Sequence, residues 1–274
     1  MPKRILFYDT YHSETILIKV RLLVKFIIMR ACLINLAIFI MLLAGCKKDN
    51  NPTPPPDLKN ALTLNINYEV DGKALQMDTV LFVNDAGYHY SVSTLQYYLS
   101  DISLIKTDSS KINLLAYHYT DTSAAKNVFT LTDVPMGDYI GICFNIGLDS
   151  TQNITGGLPA FSENQNMEWP VPMGGGYHFM KFEGNYLDYN NGDTLTGFLM
   201  HLGTNSCLVR ENPLYKNFTI NENHIILNLA MNLNEWFRNP SVYDFDMDGN
   251  RTMSNMMAMQ KLAANGVDVF HYKN

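Results

Sequence analysis

Between residues 62 and 70, apolar Leu62, Leu64, Ile66, Tyr68 and Val70 alternate with polar Thr63, Asn65, Asn67 and Glu69. Successive side chains of an extended strand point to opposite faces, so this period of two predicts a strand with one face buried. The pattern recurs along the chain. Short apolar runs at 79–83, 88–92, 99–105, 112–118 and 128–131, then Ile140, Ile142, Phe144 and Ile146, read as further strands. A second group follows at 177–183, 195–202, 218–220 and 225–233. Turn residues such as Asp71-Gly72 and Pro135–Asp138 punctuate the runs. Many short strands joined by turns predict a mainly β, sandwich-like domain. Residues Ser254 to Ala264 (SNMMAMQKLAA) break the pattern and predict a short C-terminal helix, with Ser254 as its cap and Asn265-Gly266 as its end.

The first 45 residues read as an export signal rather than as part of the fold. Ala31 to Gly45 (ACLINLAIFIMLLAG) is nearly all apolar, follows Lys19, Arg21, Lys25 and Arg30, and is short of the roughly 20 residues a spanning helix needs. It ends in LLAGC, which resembles a bacterial lipobox. Cys46 is then the expected lipidated first residue of the exported chain. Met29 offers a more compact start for such a signal, which makes residues 1–28 an extended or spurious N-terminus. Residues 46–60 hold Pro52, Pro54, Pro55 and Pro56 and read as a stiff tether. The folded domain is expected over 61–274, held at the outer membrane or cell surface.

Composition excludes some classes. Hydrophobic residues make up 47% of the chain and aromatic residues 12%, which argues against disorder. The net charge is -6, and no basic tract follows the apolar run beyond Lys47-Lys48. Nucleic acid is therefore not an expected partner. No nucleophile elbow, phosphate-binding loop or dinucleotide fingerprint is present, and the chain is not expected to be an enzyme.

Five strings resemble the MbnP-like family of bacterial secreted or lipid-anchored copper-binding proteins. They are LQYYLSDISL (Leu95–Leu104), YIGICFNIGLDS (Tyr139–Ser150), MEWPVPMGGGYHFMKFEG (Met167–Gly184), GFLMHLGT (Gly197–Thr204) and NGVDVF (Asn265–Phe270). The resemblance implies a β-rich extracytoplasmic protein that binds copper through histidines. In some relatives a tryptophan beside the metal is oxidised to kynurenine by a dihaem peroxidase-like partner. Trp169 matches the first tryptophan of that region, whereas Val171 stands where a second is usual. His178 and His201 match histidine-bearing positions.

The residues allow the same chemistry. Imidazole suits copper, and thioether suits its reduced state. His178 and His201 fall on runs expected to form a hairpin, with Met173, Met180 and Met200 near in sequence. A histidine on a strand is also commonly satisfied by a carbonyl or by solvent, and spacing leaves both open. If the pair binds copper, affinity should fall as the pH drops through about 6.5, where imidazole protonates. His89 and His118, each between tyrosines, fit packing better. A second cation signal lies in Asp244, Asp246, Asp248 and Gly249, the start of a calcium loop. Its twelfth position, Asn255, lacks the usual glutamate. Cys143 and Cys207 could pair or remain thiols.

Two functions follow as expectations. One is a lipid-anchored copper-binding or copper-handling protein. The alternative is a calcium-stabilised sandwich binding a glycan or a surface protein, with Trp169 and Tyr177, or Trp236 and Phe237, as its stacking platform.

Overall fold

The computed structural model describes residues 60–210 and 212–273. The export signal, Cys46 and most of the tether lie outside the described residues. In chain order the elements are β1 (Leu62–Val70), β2 (Lys73–Ala74), β3 (Phe82–Val83), β4 (His89–Lys106), β5 (Lys111–Asp121), β6 (Val128–Leu131), β7 (Gly137–Ile146), α1 (Ser162–Asn166), β8 (His178–Asp188), β9 (Thr194–Gly203), β10 (Val209–Arg210), β11 (Leu214–Ile220), β12 (Ile225–Asn232), α2 (Met256–Asn265) and β13 (Phe270–Tyr272). The mainly β fold with a short C-terminal helix agrees with the alternation in the sequence.

Two sheets form. In the smaller, β1 runs parallel to β12, from Leu62 opposite Ile225 to Glu69 opposite Asn232. Antiparallel β6 and β2 share the other side of β1, and β13 extends the sheet beyond β12. The larger sheet is built on β4. Residues Tyr90 to Tyr97 pair with β8, and Leu99 to Lys106 pair with β7. Because β5 occupies the opposite side of β4 from Gln96 to Ile105, β7 and β8 follow one another along a single edge. The sequence suggested two strands here. They are one bent strand, since register shifts at Val92/Thr94 and Ser100/Ser103 absorb the break, with Asp101 at φ 52° inside the second.

The sheets meet through aromatic side chains. Tyr68 of β1 packs edge-on against Tyr97 of β4 with their hydroxyls 3.0 Å apart, and Phe270 of β13 packs on Tyr97 and Phe144. Beneath β8 and β9, Phe182, Phe198, Phe237 and Phe245 form a second aromatic group. Trp236, Phe237, Trp169 and Tyr177 are all buried, so neither expected aromatic pair is a surface platform for a glycan. These large rings fill the interior because burying them stabilises the fold more than any other residues can.

Helix α2 starts one residue later than expected. Asn255, not Ser254, is the cap: its side-chain oxygen accepts from the Ala258 amide at 3.1 Å. The helix ends at Gly266, where a Cβ would meet Trp236 at 2.5 Å. Glycine is required there for close approach, not for a left-handed turn. Cutting the cap by Asn255→Ala should cost about 1 kcal/mol. In a domain of this size that lowers the melting midpoint by roughly 2–4 °C. Exposed Ser254→Ala should change stability by no more than about 0.5 kcal/mol. Equal losses in thermal denaturation would show the cap to be assigned wrongly.

Candidate metal centre

Strands β8 and β9 form an antiparallel hairpin whose turn is fixed by Asp188, which accepts from the amides of Asn190 and Asn191. In an unbroken ladder, with Lys181 opposite His201, residue 178 would face away from His201. The register breaks between His178 and Met180, and His178 instead stands opposite Gly203. Phe179 is the additional residue of a β-bulge, which re-aims the side chain before it. His178 therefore shares a face with His201, and their rings lie 5.0 Å apart, nearly perpendicular. Both are buried.

Trp169 closes the cluster. Residues 167–169 run beside 176–178: the His178 amide donates to the Met167 carbonyl at 2.6 Å, and the Trp169 amide donates to the Gly176 carbonyl at 2.9 Å. The indole N–H donates to the Met173 carbonyl at 3.1 Å, and the ring lies 4.7 Å from the His178 ring. A side chain at Gly203 would overlap the indole, so glycine at that position gives Trp169 its seat.

Acceptors orient both imidazoles, and at His178 the Glu168 backbone adds to that of Met167. His178 Nδ1 lies 3.1 Å from the Met167 carbonyl oxygen. His201 Nε2 lies 2.7 Å from Glu183 Oε1. Thr252 holds the His201 backbone, its hydroxyl accepting from the amide at 2.7 Å and donating to the carbonyl at 2.6 Å. The other nitrogen of His201, Nδ1, is buried with no partner. Burial pushes His178 down to about 4, and the charges of Lys181 and His201 push the same way. The His201 hydrogen bond holds the Glu183 carboxyl below the usual range, against its burial. His178 is consequently neutral well below pH 6.5, and proton competition at its ring sets in nearer 4 than the sequence suggests.

The methionines divide. Met180 and Met200 pair with Leu202 and Phe182 on the opposite, core face of the hairpin, away from the histidines. Met173 lies in the turn whose carbonyl holds the indole. Among the described residues, no group of three or more His, Cys, Asp and Glu is arranged to hold a metal ion. The candidate centre is a histidine pair with Glu183 behind one member. Sequence reasoning found His178, His201 and Trp169 but missed Glu183, Thr252 and Gly203. The alternation of Lys181 and Glu183 was the one available signal, since it puts both on the face of His201.

The carboxylates of the acidic loop are bonded within the protein. Asp244 accepts from the Asp246 and Met247 amides and from the Tyr88 hydroxyl. Asp248 accepts from the Asp244 amide and pairs with Lys261 of α2 at 2.6 Å. Asp246 is bonded by Asn190. Asn255, at the twelfth position, is occupied as the helix cap. His118 is half-buried and stacks on Phe129, whereas His89 is exposed and lies 2.6 Å from the Tyr189 hydroxyl. Cys143 and Cys207 are both free and buried.

Fold and site together define a two-sheet β protein with a buried histidine pair against a tryptophan. The family model of MbnP matches residues 59–257, and the chain belongs to that family. The match includes four of the five resembling strings and stops before Asn265–Phe270. Among solved structures the chain is similar to MbnP from Methylosinus trichosporium, at 12% identity, covering 67% of this chain and 79% of that one, with a TM-score of 0.42. No curated protein matches the chain.

The depressed His178 makes a prediction for the metal-free protein. In the unfolded chain this ring takes up its proton near pH 6.5, whereas in the fold it does so near 4. Between these values the unfolded state binds more protons, so stability falls as the pH drops from about 6.5 to about 4 and then levels. The full loss from this one group is about 3 kcal/mol. Urea melts over that range should show the decline, and His178→Gln should remove most of it. An unchanged slope in the variant would assign the effect elsewhere.

Proposed function

We propose that this chain is a lipid-anchored extracytoplasmic copper-binding protein, a binder rather than a catalyst, with His178 and His201 as principal ligands. The observation that carries the reading is the buried, edge-to-face histidine pair in which His201 Nδ1 has no protein partner. An orphaned buried ring nitrogen costs stability unless something binds it. With metal–nitrogen bonds of about 2.0 Å, two imidazoles on one ion have ring centres within about 6.5 Å. The pair meets that requirement at 5.0 Å. Copper binds imidazole nitrogen more strongly than its divalent first-row neighbours, and a neutral His178 offers its lone pair without first losing a proton. Bound copper would supply one-electron chemistry at this position.

Trp169, packed on His178, is the residue such chemistry would reach in a partnership with a dihaem peroxidase-like enzyme. Val171, where relatives carry a second tryptophan, is exposed in the adjoining turn. We expect Trp169 to stay unmodified when the chain is expressed alone. Mass spectrometry of its peptide from native cells would reveal kynurenine if the partner acts.

Copper titration of the exported domain should saturate at one Cu(II) with nitrogen coupling in its paramagnetic resonance. His178→Ala and His201→Ala should each weaken binding at least about tenfold, since each removes a ligand. Unchanged affinity and stoichiometry in both would eliminate the centre. Anchoring is tested separately: Cys46→Ser should abolish incorporation of labelled fatty acid, and continued labelling would refute lipidation at that residue.

A further inference from the structure

We propose that Glu183 is the positioning residue of this centre: by accepting from His201 Nε2–H it fixes the tautomer in which Nδ1 carries the ligating lone pair. The functional half of this inference rests on the copper reading; the tautomer half does not. A neutral imidazole has one N–H and one lone pair. The partner of His201 Nε2 is a carboxylate oxygen at 2.7 Å, which in its ionised form only accepts, so the hydrogen is on Nε2. Nδ1 is buried without a partner; as an N–H it would be an unsatisfied donor in the interior, whereas as a lone pair it is available to a metal.

His178 is arranged with the opposite sense. The acceptor there is the Met167 carbonyl, opposite Nδ1, so Nδ1 carries the hydrogen and Nε2 the lone pair. One histidine is thus held through a carboxylate and the other through the backbone, giving a mixed set of Nδ1 from His201 and Nε2 from His178. Only the first hold depends on a side chain, which makes it accessible to mutation. Glu183 sits opposite Leu199, two residues from His201 on β9, and reaches the ring diagonally across the ladder. A hydrogen bond from Thr94 and the charge of Lys181 favour the ionised form of the same carboxylate. An acceptor behind a ligating histidine orients the ring and raises its basicity, and its loss typically weakens metal binding about 10- to 100-fold.

The test starts without metal. Nitrogen-15 NMR of the histidine-labelled, metal-free domain should show His201 protonated on Nε2 and His178 on Nδ1. Glu183→Ala should convert His201 to a mixture of tautomers and weaken copper binding about 10- to 100-fold. Glu183→Gln, whose amide oxygen accepts the same hydrogen bond, should keep the tautomer and most of the affinity. His201 protonated on Nδ1 in the wild type, or a tautomer unchanged in Glu183→Ala, overturns the proposal. If the tautomers are as assigned and the wild type takes up no copper, the copper reading falls and the orienting role of Glu183 stands.

Discussion

The candidate centre depends on one register shift in β8, the bulge at Phe179. Were Phe179 paired in the ladder instead of bulged, His178 would point into the opposite face of the hairpin among Met180, Phe182, Met200 and Leu202. With the bulge, the strand takes a local twist, the side chain before it changes face, and two histidines meet. β8 begins beside the end of β7 along the edge of β4. The Met167–Trp169 segment is then close enough to bond the start of β8 and seat the indole over Gly203.

Two unlike holds stabilise this arrangement. On the Trp169 side the constraint is the backbone: carbonyls of Met167 and Met173 receive a ring N–H each, from His178 and Trp169. On the His201 side it is side chains, Glu183 at the ring and Thr252 at the peptide. The acidic loop contributes indirectly. Its carboxylates close a turn and bind Lys261, and that turn delivers Thr252 to His201. The D-x-D-x-D-G string is therefore engaged in holding strand and helix together, whatever cations it meets.

The sequence announced what alternation can carry and little else. β1 and β6 have the bounds their patterns predict, because polar and apolar residues alternate along both, although Thr63 and Glu69 on the polar face of β1 are buried as well. Tyr177 to Met180 is three aromatic or apolar residues and one histidine, so no phase can be read there and the bulge is invisible. The gap between the runs 88–92 and 99–105 looks like a loop and belongs to one strand, whose kink lies further on at Asp101. β13 escaped notice because three residues carry no period. The histidines and Trp169 were found by resemblance. Glu183 was not, since its role depends on a register that only the paired strands define.

Thr252 has a consequence for assembly. Asn250 and Thr252 occupy the outer side of β9, where the Leu199 amide donates to Asn250 and the Thr252 amide donates to Leu199. A hydrogen-bonding edge left open is a template onto which another chain can add a strand. Here the short segment already fills that position beside His201, so a visiting macromolecule cannot zip onto the hairpin there. The same pairing closes this edge of β9 to a strand from a second copy of the chain.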